Sequence, residues 1–220
     1  QDIDAYTERD RARPARDAKV GMLPPKLAQI LINLCGDKPE ASTLLDPFCG
    51  TGVVLQEAAL MRYNVIGSDL SEQYTKRNLR WASEKYNIPK LEEAHVVQGD
   101  ATSFRWPEKV DLVACETYLG QPMSQPPAEI KLKQEKQECR GIILGFLKNL
   151  ADQIETETPV VIAVPAWLRP DGYYSRLNLL DEIKNLRYNV VSFKNLEQKD
   201  LLYHREGQVV AREIIVLRKK

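Results

Sequence analysis

The 220-residue sequence contains no uninterrupted run near the 18 or so apolar residues that a membrane-spanning helix requires, which predicts a soluble protein with no membrane role. Its four cysteines, Cys35, Cys49, Cys115 and Cys139, are widely spaced, form no CxxC pair and have no neighbouring histidine, so neither a bound metal nor a disulfide framework is expected. The two histidines, His95 and His204, stand apart from any Ser or Asp that would build a hydrolytic triad with them. An apolar leader is also missing: residues 1–20 are charged, which places the expected location in a reducing cytoplasm. Net charge is absent as well, with 31 Lys plus Arg against 31 Asp plus Glu, and this excludes a uniformly basic surface built to grip nucleic acid. What is present is ordinary for a folded domain, 43% hydrophobic and 28% charged residues over a length that fits one large domain. The chain opens on Gln1 and Asp2 rather than Met, and the expectation is a piece of a longer protein with a partner domain outside it.

Residues 1–22 are polar and without period, and read as an arm or linker ahead of a domain spanning 23–220; Arg9, Arg11, Arg13, Arg16 and Lys19 concentrate positive charge there against Asp10 and Asp17. Leu27, Ile30, Leu31 and Leu34 recur at helical spacing behind Pro24 and Pro25, predicting a helix over 24–35. The pattern then alternates. Strands are expected at 43–46, 64–69, 95–100, 110–115 and 160–164, and helices at 53–62, 71–86 (opened by Ser71), 129–154 and 175–186. Two closing strands, 188–194 and 209–217, have no helix between them and predict an antiparallel edge. Strands separated by helices imply a parallel sheet covered on both faces. The expected fold is therefore α/β and Rossmann-like, a doubly wound, seven-stranded, mostly parallel sheet with an antiparallel C-terminal edge strand and helices on both faces, ligands sitting at the carboxyl ends of the strands.

Three strand ends carry acids. The first strand runs into Asp46-Pro47-Phe48-Cys49-Gly50-Thr51-Gly52 directly before a helix, where two glycines let the backbone turn tightly and the helix N-terminus presents free N–H groups to an anionic ligand end. No third glycine follows at position 55, which is Leu55, and no Gly-Lys-Ser/Thr follows either, so this is neither a dinucleotide fingerprint nor a phosphate loop. Asp69 ends the second strand, where a carboxylate can accept from both ribose hydroxyls, and Asp100 ends the third, where it can accept from an adenine amino group or cap a turn.

On these residues the chain resembles the class I S-adenosylmethionine-dependent methyltransferases, and among them the THUMP-linked RNA guanine-N2 methylases. Arg9-Asp10, Arg13-Pro14 and Gly21-Met22-Leu23-Pro24-Pro25-Lys26-Leu27-Ala28 are similar to that group's segment ahead of the first strand, and Asp46 to Gly52 to its Asp-Pro-Phe-Cys-Gly-Ser/Thr-Gly loop. The resemblance implies S-adenosylmethionine as cofactor, with Leu23 and Pro24 flanking the methionine moiety and Asp46, Phe48, Gly50 and Gly52 holding its amino acid portion. Pro47, Cys49 and Thr51 complete the loop; Asp69 with Leu70 implies the ribose contact, and Asp100 with Ala101 the adenine contact. It further implies tRNA or rRNA, in preference to DNA, as the nucleic-acid partner, and an RNA-binding domain upstream.

The catalytic position departs from the family. Where the fourth strand ends, methylases of exocyclic amino groups carry Asp/Asn-Pro-Pro-Tyr/Phe; this chain reads Glu116-Thr117-Tyr118-Leu119-Gly120. The candidate catalytic residues are Glu116 and the Thr117 carbonyl, as acceptors for the hydrogens of the attacking amine, and Tyr118, to stack on a flipped base. A carboxylate suits guanine, whose N1–H and N2–H₂ are all donors. Glutamate reaches one methylene further than aspartate, and a misplacement of about 1 Å costs on the order of 10²-fold in rate. The function expected is methyl transfer to an exocyclic base amino group, most simply guanine N2 in tRNA; the alternatives are a DNA amino-methylase and a cofactor- or RNA-binding module whose catalytic loop has decayed. Trp81, Trp106 and Trp167 read as packing residues, with a cleft-lining role for Trp167 as the lesser alternative, and Lys131, Lys133, Lys136 and Arg140 as one solvated helix face among Glu129, Glu135 and Glu138.

Overall fold

The computed structural model describes residues 2–16, 22–92 and 94–220. Asp17, Lys19 and Gly21, which figure in the charge cluster and the resemblance above, lie outside them, as does Gln1. The elements in chain order are helix α1 (Ile3–Arg11), α2 (Pro25–Leu34), strand β1 (Thr43–Asp46), α3 (Val53–Leu60), β2 (Asn64–Asp69), α4 (Gln73–Tyr86), β3 (His95–Gln98) and β4 (Leu112–Glu116). They continue with α5 (Glu129–Leu150), β5 (Pro159–Leu168), β6 (Tyr174–Arg176), α6 (Leu180–Asn185), β7 (Tyr188–Val190), β8 (Leu202–Tyr203) and β9 (Val210–Lys219).

The main sheet runs in the order β3-β2-β1-β4-β5-β9-β7. β1 through β5 are mutually parallel where they pair, whereas β9 is antiparallel to both β5 and β7. Seven strands and the antiparallel closing pair are thus as expected, with β9 one place inside the sheet and β7 outermost. Apolar side chains alternate to the two faces. One layer gathers Leu27, Leu31, Leu55 and Leu79 from α2, α3 and α4 against Leu44, Ala114 and Val161. The other gathers Ile143, Phe146, Leu147 and Leu150 from α5 against Leu45, Val113, Ile162 and Ile215. Among the described residues no helix is long and apolar enough to cross a membrane.

Four expectations need correction. The arm begins with a helix: Asp2 caps α1, its Oδ1 accepting from the Ala5 amide at 3.0 Å, and α1 is docked by charge rather than by an apolar stripe, so no hydrophobic period announces it. Arg9 lies in the interface with its Nε 2.7 Å from Glu57 Oε1, while Gln29 Nε2 donates to the other oxygen at 2.7 Å. Residues 175–186 are not one helix; β6 pairs antiparallel with the end of β5, and α6 starts only at Leu180. Two extra short strands, β6 and β8, pair with β5 and β9, because those two strands run for ten residues each and extend past their neighbours. Finally, Ser71 does not open α4, since its amide is taken by Asp69 and the helix begins at Gln73 without a side-chain cap.

The Glu57 carboxylate has no solvent exposure and the Arg9 side chain 11%. Removing one member of such a pair leaves a buried charge uncompensated, which costs about 3–5 kcal/mol. Glu57→Ala is expected to lower Tm by roughly 10 °C, at about 2–4 °C per kcal/mol for a domain of this size. A thermal melt unchanged within about 2 °C would show that α1 is not anchored through this pair.

Candidate active site

The loop between β1 and α3 is shaped by two left-handed turns, at Gly50 (φ 50°) and Gly52 (φ 84°). Gly52 caps α3 and sits so close to α4 that a Cβ there would stand 3.1 Å from Thr75 Cγ2. Side chains around the loop fix its course: Thr75 Oγ1 donates to the Gly50 carbonyl at 2.6 Å, and Asn78 Nδ2 donates to the Thr51 carbonyl at 2.8 Å. Asn78 also exchanges two hydrogen bonds with the backbone of Ala15, at 2.9 Å each, which ties the segment after α1 to the same loop.

Asp46, Asp69 and Asp100 end β1, β2 and β3 or follow them closely, and all three line one cavity of about 820 Å³ at the carboxyl ends of the strands. That volume lies in the range of small-molecule sites, about 300–1,000 Å³. Asp69 is held by the loop it serves, its Oδ2 accepting from the Gly50 amide at 2.9 Å and its Oδ1 from Ser71 at 3.1 Å. Asp100 lines the cavity and also closes a turn, accepting from the Thr102 amide at 2.9 Å and hydroxyl at 2.8 Å, and those bonds hold its carboxyl below the usual range.

Asp46 is almost wholly buried, with the Phe48 amide 3.1 Å from Oδ1. Burial pushes its carboxyl well above the usual range against the pull of that amide, and the neighbouring Asp69 and Glu116 push it further. A carboxyl raised in the folded state keeps its proton after the unfolded chain, titrating near about 3.9, has lost it, so stability falls as pH rises from there through the raised value. Asp46→Asn keeps the acceptor for the Phe48 amide and removes the penalty. It is expected to raise the Tm of the ligand-free domain at neutral pH and to flatten its decline with pH; a lower Tm at neutral pH would contradict this.

Glu116 ends β4, and Thr117 and Tyr118 follow it on the cavity wall. The Thr117 amide and hydroxyl both donate to the Ala163 carbonyl, at 3.0 and 3.1 Å, which fixes the backbone where the family's prolines would stand. Gly120, at φ 84°, lets the chain turn over Glu135: a Cβ would meet Glu135 Oε2 at 2.5 Å, and the same oxygen accepts from the Gln121 amide at 3.0 Å. Glu135, placed above on a solvated helix face, is instead buried as the clamp of this loop, with Lys131 2.6 Å from its other oxygen. Tyr118 is pushed up to about 12 by burial and then by Glu138, so at neutral pH its hydroxyl stays protonated.

Of the sequence-predicted residues, Leu23, Asp46, Pro47, Phe48, Cys49, Gly50, Thr51, Asp69, Leu70, Asp100, Ala101, Glu116, Thr117 and Tyr118 line this single cavity. Pro24 and Gly52 do not, Pro24 capping α2 and Gly52 shaping the loop from behind. Trp167 is fully buried in β5 and takes no part in the wall. Tyr74 of α4, and Glu138, Gly141 and Gly145 of α5, also line the cavity without having been expected from the sequence. A signal for the two glycines existed: two glycines four apart inside a helix are unfavourable, and Gly141 lines the cavity with nothing within 4 Å of a Cβ built on it. Among the described residues no three His, Cys, Asp or Glu side chains are grouped as a metal site.

Residues 13–139, which include the loop, the strand-end acids and Glu116-Thr117-Tyr118, match the family model described as RMKL-like, methyltransferase domain. The chain belongs to that family. A tRNA (guanine(10)-N2)-dimethyltransferase of Methanothermobacter thermautotrophicus is 31% identical to this methyltransferase domain over 151 residues, 67% of this chain and 40% of that protein. A probable tRNA (guanine(10)-N2)-dimethyltransferase of Methanothermococcus thermolithotrophicus is 30% identical over 144 residues, 63% of this chain and 78% of that protein. The methyltransferase domain thus spans less than half the length of the first of these relatives. Among solved structures, TrmN from Thermus thermophilus superposes with a TM-score of 0.58 at 20% identity, over 91% of this chain and 50% of that one. The glycopeptide N-methyltransferase MtfA complexed with S-adenosylmethionine gives 0.57 at 11% identity, over 93% and 98%. At such identities the two superpositions establish the fold alone.

Proposed function

We propose that this domain binds S-adenosylmethionine and transfers its methyl group to the exocyclic N2 of a guanine in tRNA. The observation that carries the reading is the union, in one cavity, of the β1–α3 loop, the acids Asp46, Asp69 and Asp100, and the Glu116-Thr117-Tyr118 wall. The residues fit the cofactor. Three carboxylates match its ammonium, ribose hydroxyls and adenine amino group, and the vacant space beside Gly141 leaves room for a flat ring against α5. Relatives named as tRNA (guanine(10)-N2)-dimethyltransferases support the substrate, and membership of a methyltransferase family supports the methyl-donor cofactor.

Asp46 would pair with the ammonium of the methionine portion, which restores its ionised form, and Asp69 would accept from the ribose hydroxyls. The bound cofactor supplies an electrophilic methyl group on a sulfonium. The chain's own task is to present the amine: the Glu116 carboxylate and the Thr117 carbonyl accept the two N2 hydrogens, which turns the nitrogen lone pair toward the methyl, and Tyr118 covers one face of the base. Once it carries the methyl the nitrogen is a four-coordinate cation and loses one of its two protons, and Glu116 is placed to receive it. Equal numbers of acids and bases, 31 of each, fit a domain that reads one base while much of the phosphate grip comes from beyond these 220 residues. We place the reaction in the cytoplasm, where the four buried, unpaired cysteines remain reduced.

Calorimetric titration with S-adenosylmethionine, then transfer of labelled methyl to bulk tRNA, rRNA and DNA with nucleoside analysis, tests the reading. N2-methylguanosine in tRNA is the expected product. Absence of cofactor binding ends the proposal, and N6-methyladenine in DNA replaces it with an amino-methylase of DNA.

A further inference from the structure

β9 reads Val-Ala-Arg-Glu-Ile-Ile-Val-Leu-Arg-Lys, and its first two charges, Arg212 and Glu213, are buried at 2% and 5% exposure inside an otherwise apolar strand. A central strand carries buried charges at a cost, because each must be desolvated. Glu213 answers to Arg176 at 3.0 Å. Arg212 faces the other way. In register it lies opposite Pro165 of β5, while Glu116 of β4 lies opposite Ala163 of the same strand, so its guanidinium crosses β5 to reach the catalytic carboxylate. Arg212 Nε donates to Glu116 Oε1 at 2.6 Å, and the two residues are 96 positions apart in sequence.

We propose that Arg212 is the positioning residue of the reaction, holding Glu116 by Oε1 so that Oε2 faces the cavity as an acceptor for the substrate amine. The inference rests on the function proposed above. Three observations carry it. Glu116 lines the cavity with its side chain 16% exposed, against 3% for Arg212, so the charge pair has one open side and that side is the site. Among the described residues Oε2 has no hydrogen-bond donor, whereas Oε1 does. The extra methylene of glutamate, which displaces the carboxylate from the place an aspartate would occupy, has a use here, since it carries Oε1 out to the guanidinium. A planar guanidinium fixes the carboxylate in one orientation, as an ammonium on a flexible stem does not.

The pair also governs charge. Burial pushes the Glu116 carboxyl up, and Arg212 pulls it back. Among the described residues the other titratable groups set around it bring no positive charge: Asp46 from β1, Cys115 before it in β4, Tyr118 after it, and Glu138 of α5 on the wall of the same cavity. Without Arg212, Glu116 would take up a proton, and a protonated carboxyl presents a donor where an acceptor is needed.

The test compares wild type, Arg212→Gln and Arg212→Lys, each first checked for folding and S-adenosylmethionine binding. In Arg212→Gln the acid limb of the kcat profile is expected to move up by about one to three pH units, the scale of losing a close opposite charge. Activity at neutral pH should fall about 10²-fold in kcat with KM for tRNA nearly unchanged. Arg212→Lys should restore the acid limb and leave most of the kcat deficit, separating charge from orientation. Unshifted limbs and wild-type kcat in Arg212→Gln would overturn the assignment. Carbon NMR of labelled glutamate in the cofactor-loaded protein, with Glu116→Gln to identify the resonance, reads the same pair without a substrate. A titration midpoint that rises in Arg212→Gln supports the pairing even where tRNA receives no methyl, in which case the substrate reading alone fails; an unmoved midpoint removes Arg212 from the site.

Discussion

Glu116→Gln is expected to lower kcat for methyl transfer by about 10²–10³-fold, the loss seen when one preorganised hydrogen-bonding group is removed from a polar active site. The substitution is nearly isosteric. Its amide oxygen can keep the hydrogen bond from Arg212 Nε, now 2.6 Å long, which turns the amide nitrogen toward the cavity. A donor then opposes the donors of the substrate amine, so the defect should fall on kcat rather than on cofactor affinity. Glu116→Ala is a blunter instrument, because it strands the buried guanidinium of Arg212 and should lower stability as well. Single-turnover transfer with saturating S-adenosylmethionine checks the point; a Gln variant within about threefold of wild type would take Glu116 out of the chemistry.

Asp69→Ala should weaken S-adenosylmethionine binding by on the order of 10²-fold or more. Two hydroxyl bonds to a carboxylate contribute about 1.5–3 kcal/mol each, and each 1.4 kcal/mol is tenfold in affinity. A carboxylate has about four lone-pair sites, and the Gly50 and Ser71 amides occupy one on each oxygen, so two remain for the ribose. The alanine variant loses those and also releases the Gly50 amide, loosening the β1–α3 loop. Asp69→Asn keeps an acceptor but not the charge and should fall between. Calorimetry at constant ionic strength measures both variants, and a change of less than about threefold in the alanine variant excludes Asp69 from the cofactor site.

The site was legible in the sequence to the extent that it is local. Asp46 to Gly52, Asp69 and Asp100 could be placed because each stands at the end of an apolar run, and a parallel sheet brings strand ends to one edge. The loop's glycines were informative because their backbone angles are ones other residues avoid. Contacts over long separations left no such trace. Arg212 read as an ordinary charge in an alternating strand, and only the register of β9 on β5 shows that it reaches Glu116. Glu135 looked like one more acid on a charged helix until Gly120 and Gln121 were found folded over it. Helix α1 was illegible for a different reason: it is fastened through Arg9 and Glu57, and a buried ion pair has no periodicity to detect. Nor did any pattern separate β6 from the start of α6, since a three-residue strand borrows its stability from the long strand beside it.

The insertion of β9 between β5 and β7 bears on how the protein is made. β7 precedes β9 in the chain and among the described residues pairs with no other strand, so it joins the sheet only after β9 has left the ribosome. Until then β5, the ten-residue segment Pro-Val-Val-Ile-Ala-Val-Pro-Ala-Trp-Leu, is an open apolar edge, the kind that recruits other chains. The roughly fifty residues from Leu168 to Lys219 take on the order of 3–10 s to synthesise, and over that interval the edge of β5 is open to pairing with other chains. Pro159 and Pro165, which lack an amide hydrogen to offer a foreign strand, lie within that edge. The same event that closes it delivers Arg212 to Glu116, so the site acquires its counter-ion only as the sheet becomes complete.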